Sequence, residues 1–176
     1  MVKHAKLLGL NISSDLKWNF HVSEIVRKVA SRLYLLRQLK RANADSSDLL
    51  QFYTTCIRPV TEYCCQAFHD SLPNYLSDEL ERLQKRALRI IFPFISYTEA
   101  LQVSNLTTAY SRRQSLTQRL FKKIANDKNH SLHHLLPKTN NSSVSLRRRH
   151  KFTLPFCKTK RFQSSFFIAN AAKWLD

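Results

Sequence analysis

Glycine is almost missing from this chain: Gly9 is the only one in 176 residues. That excludes the Gly-rich loops that cradle phosphates or dinucleotides. It also favours a mainly helical fold. Acid is scarce as well, with 12 Asp and Glu against 29 Lys and Arg, a formal net charge of +17. Two adjacent aspartates occur nowhere, and the nearest thing is Asp78-Glu79. No stretch approaches the roughly 20 apolar residues of a membrane span. The opening MVKHAKLLGLNISSD has too short an apolar run for a signal peptide. Cys56, Cys64, Cys65 and Cys157 include no CxxC pair. They read as reduced thiols of an intracellular protein, nuclear or cytoplasmic. Asn11-Ile12-Ser13 and Asn105-Leu106-Thr107 fit the glycosylation pattern but lack the secretory setting it needs.

What is present is enough to fold: 43% hydrophobic and 11% aromatic residues. The excess of cations points to a polyanionic partner, RNA or DNA, or to an anionic membrane surface. The plainer reading is a solvated basic surface with no dedicated ligand. We expect nucleic acid, no membrane and no cofactor.

The run Asp15 to Arg41 carries the clearest pattern. At about 100° per residue, Trp18, Val22, Ile25, Val29, Leu33 and Leu36 fall on one stripe, with Val26 beside them. Ser14 or Asp15 is a natural N-cap, since its side-chain oxygen can take an unpaired amide. Before it, KLLGLNI (Lys6 to Ile12) reads as a short edge strand. Gly9 there either permits close backbone approach or is an ordinary strand glycine. After it, Leu49, Tyr53, Ile57, Val60 and Cys64 recur at helical spacing. A second helix is therefore expected from about Ser47 to Phe68, kinked or ended at Pro59. A third starts at Ser77, with Leu80, Leu83, Ala87 and Ile91 inside, and Pro93 stops it. Tyr97 to Val103 reads as a short helix. Thr107 or Thr108 caps a longer one to about Asn126, with Leu116, Leu120 and Ile124 inside and Arg112, Arg113, Arg119, Lys122 and Lys123 outside.

The expected fold class is therefore mainly α: a small helical bundle with a short N-terminal β strand and a basic, partly disordered C-terminal tail. Four segments follow: 1–13 as the strand, 14–127 as the helical domain, 128–145 as a linker and 146–176 as a basic, aromatic end. Eleven of the 12 acids lie at or before Asp127, which is what marks the change. In the last segment cations alternate with rings: Arg147, Arg148, Arg149, Phe152, Phe156, Lys158, Lys160, Arg161 and Phe162. Phosphates attract the cations and unstacked bases the rings, the composition of a single-strand binder. A basic tail without a target and a nuclear-import signal are the alternatives.

No metal or nucleophile motif stands out. Cys64, Cys65 and His69 lie close in sequence, as do His130, His133 and His134, but neither set has zinc spacing. No nucleophile elbow frames a Ser/His/Asp or Cys/His set. We expect no catalytic residue and no bound metal.

Several runs carry a resemblance. KLLGLNISSDLKWNFHV (Lys6 to Val22), SRLYLLRQLKRA (Ser31 to Ala42), FYTTCIRPVTEYCCQAFH (Phe52 to His69), LERLQKRALRIIF (Leu80 to Phe92) and LPFCKTKRFQSSFF (Leu154 to Phe167) occur in order. Together they resemble the C-terminal part of the reverse transcriptase of a non-LTR (LINE-type) retrotransposon. The resemblance implies the last palm strand over 1–13, a helical thumb over 14–127 and the segment after it, with a final piece beyond Trp174 lacking. Such polymerases hold two metals on an aspartate and an adjacent Asp-Asp pair. With neither motif here, the resemblance implies a noncatalytic fragment, with a polymerase core in trans as a further conceivable partner. By position in the thumb, Lys17, Lys28, Arg32, Arg37, Lys40 and Arg41 are the first candidates to track a nucleic-acid backbone. Arg82, Lys85, Arg86 and Arg89 come second, and Arg147, Arg148, Arg149, Lys158, Lys160 and Arg161 belong to the tail. An inert relic and a protein-interaction module remain as alternatives. A weaker resemblance joins Val29 to Val60 with the N-terminal segment of the AlkB-homologue tRNA-modifying enzyme. Neither chemistry that it suggests has its residues here. There is no His-x-Asp of an iron oxygenase and no Gly-rich loop of a methyltransferase.

Overall fold

The computed structural model describes residues 3–139 and 151–174, and these are mainly helical. The chain divides into two compact units. One comprises residues 1–65 and 72–113, the other 66–71 and 114–176.

The first unit opens on a hairpin, where one strand was expected. Strands β1 (His4–Leu7) and β2 (Leu10–Ser13) pair antiparallel, with His4 opposite Ser13 and Leu7 opposite Leu10. The turn is Leu8 and Gly9, at φ 46 and 86. Two successive positive φ values give the twist that a two-residue hairpin needs. Gly9 takes this without strain, but Leu8 carries a Cβ into the left-handed region at about 1–2 kcal/mol. The Tyr63 hydroxyl donates to the Leu8 carbonyl at 2.7 Å and helps to hold the turn.

Helix α1 (Asn19–Arg41) buries His21, Val22, Ile25, Val29, Leu33 and Leu36. This is the expected stripe, with Trp18 displaced to the N-cap position. Neither Ser14 nor Asp15 caps the helix. The Asp15 carboxylate instead accepts from the Ser13 hydroxyl at 2.5 Å and the Lys17 amide at 3.1 Å. Those bonds, Ser13 first, hold its carboxyl down at about 2. Leu16, at φ 53, then reverses the chain before the helix can begin.

Pro59 was expected to kink the second helix, and it does so by widening a turn. Helix α2 (Ser46–Phe52) passes through a π turn at Tyr53–Ile57 into helix α3 (Arg58–Glu62). The Arg58 amide reaches back five residues to the Tyr53 carbonyl. A proline lacks an amide and its ring crowds the carbonyl four residues back, so a wider turn upstream relieves the conflict. Regular helix ends at Glu62, short of the expected Phe68, and Cys64 follows at φ 51.

Helix α4 (Asn74–Ile91) starts three residues before the expected Ser77. Pro73 sits just outside, and its carbonyl takes the Leu76 and Ser77 amides at 3.1 Å each. Leu76, Leu80, Leu83, Gln84, Ala87, Leu88 and Ile91 are buried along one face. Helices α1 and α4 pack on one another, so their two stripes form the core of this unit. Each fully buried Leu or Ile contributes about 1.5–3 kcal/mol relative to exposure. Helix α5 (Tyr97–Val103) follows behind a capping box, in which Ser96 and Glu99 satisfy each other's backbone amides.

Helix α6 (Ala109–Asn126) begins in the first unit. Thr108 caps it, accepting the Ser111 amide at 3.1 Å. Its buried positions are Ala109, Arg113, Thr117, Phe121 and Ile124. Leu116 and Leu120 are only half-buried, so the expected stripe was rotated by one position. Arg113, expected outside, is buried and donates to the Ser77 hydroxyl at 3.0 Å.

The second unit has its own aromatic core. Phe121, Phe152 and Ala171 are buried, and Leu136, Phe166, Phe167 and Trp174 pack against them. The rings of Phe121 and Phe152 meet edge-on at 5.9 Å between centroids, and Phe121 and Trp174 lie 5.6 Å apart. Thr139 bridges to Phe152, and a short 3₁₀ turn at His133–Leu135 lies upstream. Helices α7 (Lys160–Gln163) and α8 (Phe166–Lys173) complete it. Asp70 accepts from Asn170 at 2.8 Å and from Lys173 at 2.9 Å.

Candidate nucleic-acid interface

Four of the sixteen candidate cations form one face. Arg82, Lys85, Arg86 and Arg89 stand at spacings of three, one and three on α4, opposite its buried stripe, and all four are exposed. Among the described residues none of them has an ion-pair partner. Arg82 and Arg89 lie about 10 Å apart along the axis at 1.5 Å per residue. A nucleic-acid strand presents a phosphate about every 3.4 Å of duplex axis, so the row spans roughly three.

A buried polar network holds this face in place. Gln84 is 4% exposed and lies on the inner side of the same helix. It accepts from the Tyr53 hydroxyl at 2.9 Å, and its amide donates to the Tyr97 hydroxyl at 3.1 Å and the Thr107 carbonyl at 2.8 Å. Glu81 accepts from the Tyr97 hydroxyl and from the Ala109 and Tyr110 amides, so an α4 carboxylate closes the start of α6. Burial first, and the Glu81 bond second, push the Tyr97 phenol well above its ordinary value. Glu62 holds Arg58 at 3.3 Å and Arg112 at 3.2 Å. Glu62 and Glu81 are thus engaged by neighbouring elements of the first unit, while the α4 cations face water.

The α1 candidates do not gather. Lys28 and Arg37 are nine positions apart, half a turn around the helix at 100° per residue, and both are exposed. Arg41 is exposed at the helix end, and Lys17 pairs with Asp15 at 3.2 Å ahead of the helix. Arg32 and Lys40 turn their charge inward. The Arg32 guanidinium donates to the Cys56 carbonyl in the π turn. The Lys40 ammonium donates to the Ile91 carbonyl at 3.3 Å, at the end of α4. Both satisfy carbonyls that irregular or terminal helix leaves short of donors.

In the tail, Lys158, Lys160 and Arg161 are exposed, the last two on α7. Arg147, Arg148 and Arg149 lie outside the described residues. The rings expected to stack bases divide: Phe156 is 86% exposed and Phe162 half so, but Phe152 is core. The residue that sequence reasoning missed is Phe94, 97% exposed in the loop between α4 and α5. Its signal was an aromatic directly after Pro93, outside any helical stripe.

Other chemistries find little support. Cys65 is buried, and burial pushes its thiol up to about 12, which leaves it inert as a nucleophile near neutral pH. Among the described residues no three His, Cys, Asp or Glu side chains gather in a way that could hold a metal. Nor is any described helix long and apolar enough to cross a membrane.

No curated protein and no solved structure matches the chain. A family model described as alkylated DNA repair protein alkB homolog 8, N-terminal, matches residues 18–58. The match begins at Trp18 and ends with Arg58, so it takes in α1, α2 and the π turn. The weaker resemblance expected over Val29 to Val60 is thereby found, and over this helical segment the chain is similar to that N-terminal region.

Proposed function

We propose that this chain is a noncatalytic helical module that binds RNA or DNA without sequence preference, by charge. The exposed α4 row of Arg82, Lys85, Arg86 and Arg89, free of ion pairs among the described residues in a chain of net charge +17, carries the reading. Phosphate contacts of this kind give affinity and register without reading bases. The module is read as a thumb-like fragment of a non-LTR retrotransposon reverse transcriptase, by the runs that resemble it. Lys158, Lys160 and Arg161, and with them Arg147, Arg148 and Arg149, extend the same charge into the tail. Lys28, Arg37 and Arg41 are secondary contacts in this reading, while Arg32 and Lys40 serve mainly to hold the fold.

The match over residues 18–58 favours a second reading, a helical segment akin to the N-terminal region of alkB homolog 8. It shares the first conclusion that matters, since neither an iron-oxygenase triad nor a methyltransferase loop stands in this chain. The matched segment lies on α1, α2 and the π turn, whereas the row that carries the first reading lies on α4.

The test is binding to a labelled primer–template hybrid and to single strands across a salt series. Affinity should fall steeply with salt. Replacing all four α4 cations by Gln should lower the slope of log affinity against log salt by about three to four. A chain that is helical by circular dichroism but binds neither ligand at low salt would remove the nucleic-acid reading.

A further inference from the structure

The end of the α4 row opens into a cleft of about 420 Å³ between α4, the following loop and the start of α5. Its wall includes Lys85, Arg89, Phe92, Phe94 and Tyr97, with two cations and no carboxylate in the lining. Phe94 is the most exposed large apolar side chain among the described residues, at 97%. A phenyl ring fully in water contributes nothing to the fold, yet its loop is anchored on both sides. Ile91 ends α4 with its carbonyl held by Lys40, and Ser96 opens α5 inside a capping box. Tyr97 forms a fixed opposite wall, its hydroxyl engaged by Glu81 and Gln84 and its ring under the Lys85 ammonium at 5.2 Å.

We propose that this corner receives an unstacked base of a single-stranded nucleic acid, with the base on the Phe94 ring and the adjoining phosphates on Arg89 and Lys85. The proposal rests on the nucleic-acid reading above and gives it a polarity in space. The backbone follows the α4 row and the strand's base turns in where the row ends. A flat exposed ring beside guanidinium and ammonium groups is the arrangement that holds bases without choosing among them. The carbonyls at the end of α4 would repel a phosphate placed directly on them. Lys40 covers one of them, and Arg89 places the phosphate site a half-turn earlier. A duplex keeps its bases stacked and has none to offer this ring, so the corner distinguishes single strands from double.

Three ligands test it on the full chain at one salt concentration: a labelled oligothymidylate, a strand of the same length built from abasic units, and phosphatidylserine vesicles. Phe94→Ala should weaken the oligothymidylate about tenfold, within the usual range for one stacked base, and leave the abasic strand unchanged. Phe94→Leu, which keeps apolar bulk but not the flat ring, should behave like Ala. An unchanged affinity for oligothymidylate, or an equal loss on the abasic strand, would overturn the base site while leaving the phosphate row intact. A loss confined to the vesicles would also overturn it, in favour of a membrane surface. Failure of the wild-type chain to bind either strand would overturn the site together with the reading beneath it. Phe94 touches solvent almost wholly, so these variants should retain the wild-type circular dichroism spectrum.

Discussion

Gln84→Leu removes a side chain that ties three segments together while keeping nearly the same volume. The Tyr53 hydroxyl then loses its acceptor at 2.9 Å, inside a site where the tyrosine is 2% exposed. A buried hydroxyl left without a partner costs about 1–3 kcal/mol. Tyr97 keeps its bond to Glu81, and Thr107 is an exposed residue, so these partners add little beyond the loss of their own bonds. The expected loss is about 2–3 kcal/mol, or a fall in Tm of about 4–12 °C for a chain of this size. The sharper test is a cycle with Tyr53→Phe. Alone, that change strands the Gln84 carbonyl oxygen and should cost about 1–2 kcal/mol. In the Gln84→Leu background it removes the stranded hydroxyl and should restore stability, a coupling of about 1–3 kcal/mol. Urea unfolding followed through Trp18 in a Trp174→Phe background reads the first unit by itself. Additive effects in the cycle, or an unaltered midpoint for Gln84→Leu, would refute the network as a stabilising element.

The other predictions concern charge, protonation and the hairpin. Arg32→Met and Lys40→Met should each lower stability by about 1 kcal/mol, with little change in nucleic-acid affinity. Arg86→Gln should do the reverse, and urea melts paired with salt titrations separate the two. His21 is held below its ordinary value, by burial first and the Lys28 charge second. The unfolded chain therefore binds the proton more readily, and stability should fall as pH drops below about 6.5. A His21→Gln variant should flatten that slope between pH 7 and 5, and an unchanged slope would place the titration elsewhere. Leu8→Asn should stabilise the hairpin by about 1 kcal/mol, because Asn tolerates positive φ before Gly. Gly9→Ala should cost about 1–2 kcal/mol, since its Cβ would also lie 3.1 Å from the Tyr63 ring, and thermal melts of the two variants should move in opposite directions.

The helices whose one face is apolar were legible in the sequence. The stripe from Val22 to Leu36 and the α4 stripe Leu80, Leu83, Ala87 and Ile91 are buried as their spacing required, because hydrophobic periodicity is a property of each segment alone. The outward cations of α4 followed from the same periodicity. Their opposite face had to meet water whatever the partner. The mainly helical class likewise followed from one glycine, few prolines and regular apolar spacing.

The tertiary structure decided what segment patterns leave open. Leu7, Leu8 and Leu10 read as one apolar run around Gly9, so no polar break announced a turn at Leu8 and Gly9. Its conformation is held in part by Tyr63, 55 positions away. Arg113 carries a charge and reads as surface, but a long polar side chain can be buried once Ser77 supplies a partner. Arg32 and Lys40 looked like the best members of a basic face. Which carbonyls lie within their reach depends on how α1 packs against the π turn and the end of α4. Phe152 and Phe94 show the same division from the other side. As phenylalanines in polar, basic or proline-bounded stretches they are indistinguishable by sequence, yet one is core and the other lies in water. Segment chemistry determines which faces must be hidden. Contacts between residues far apart in the chain determine which polar groups are consumed in hiding them, and so which cations and rings remain to meet a ligand.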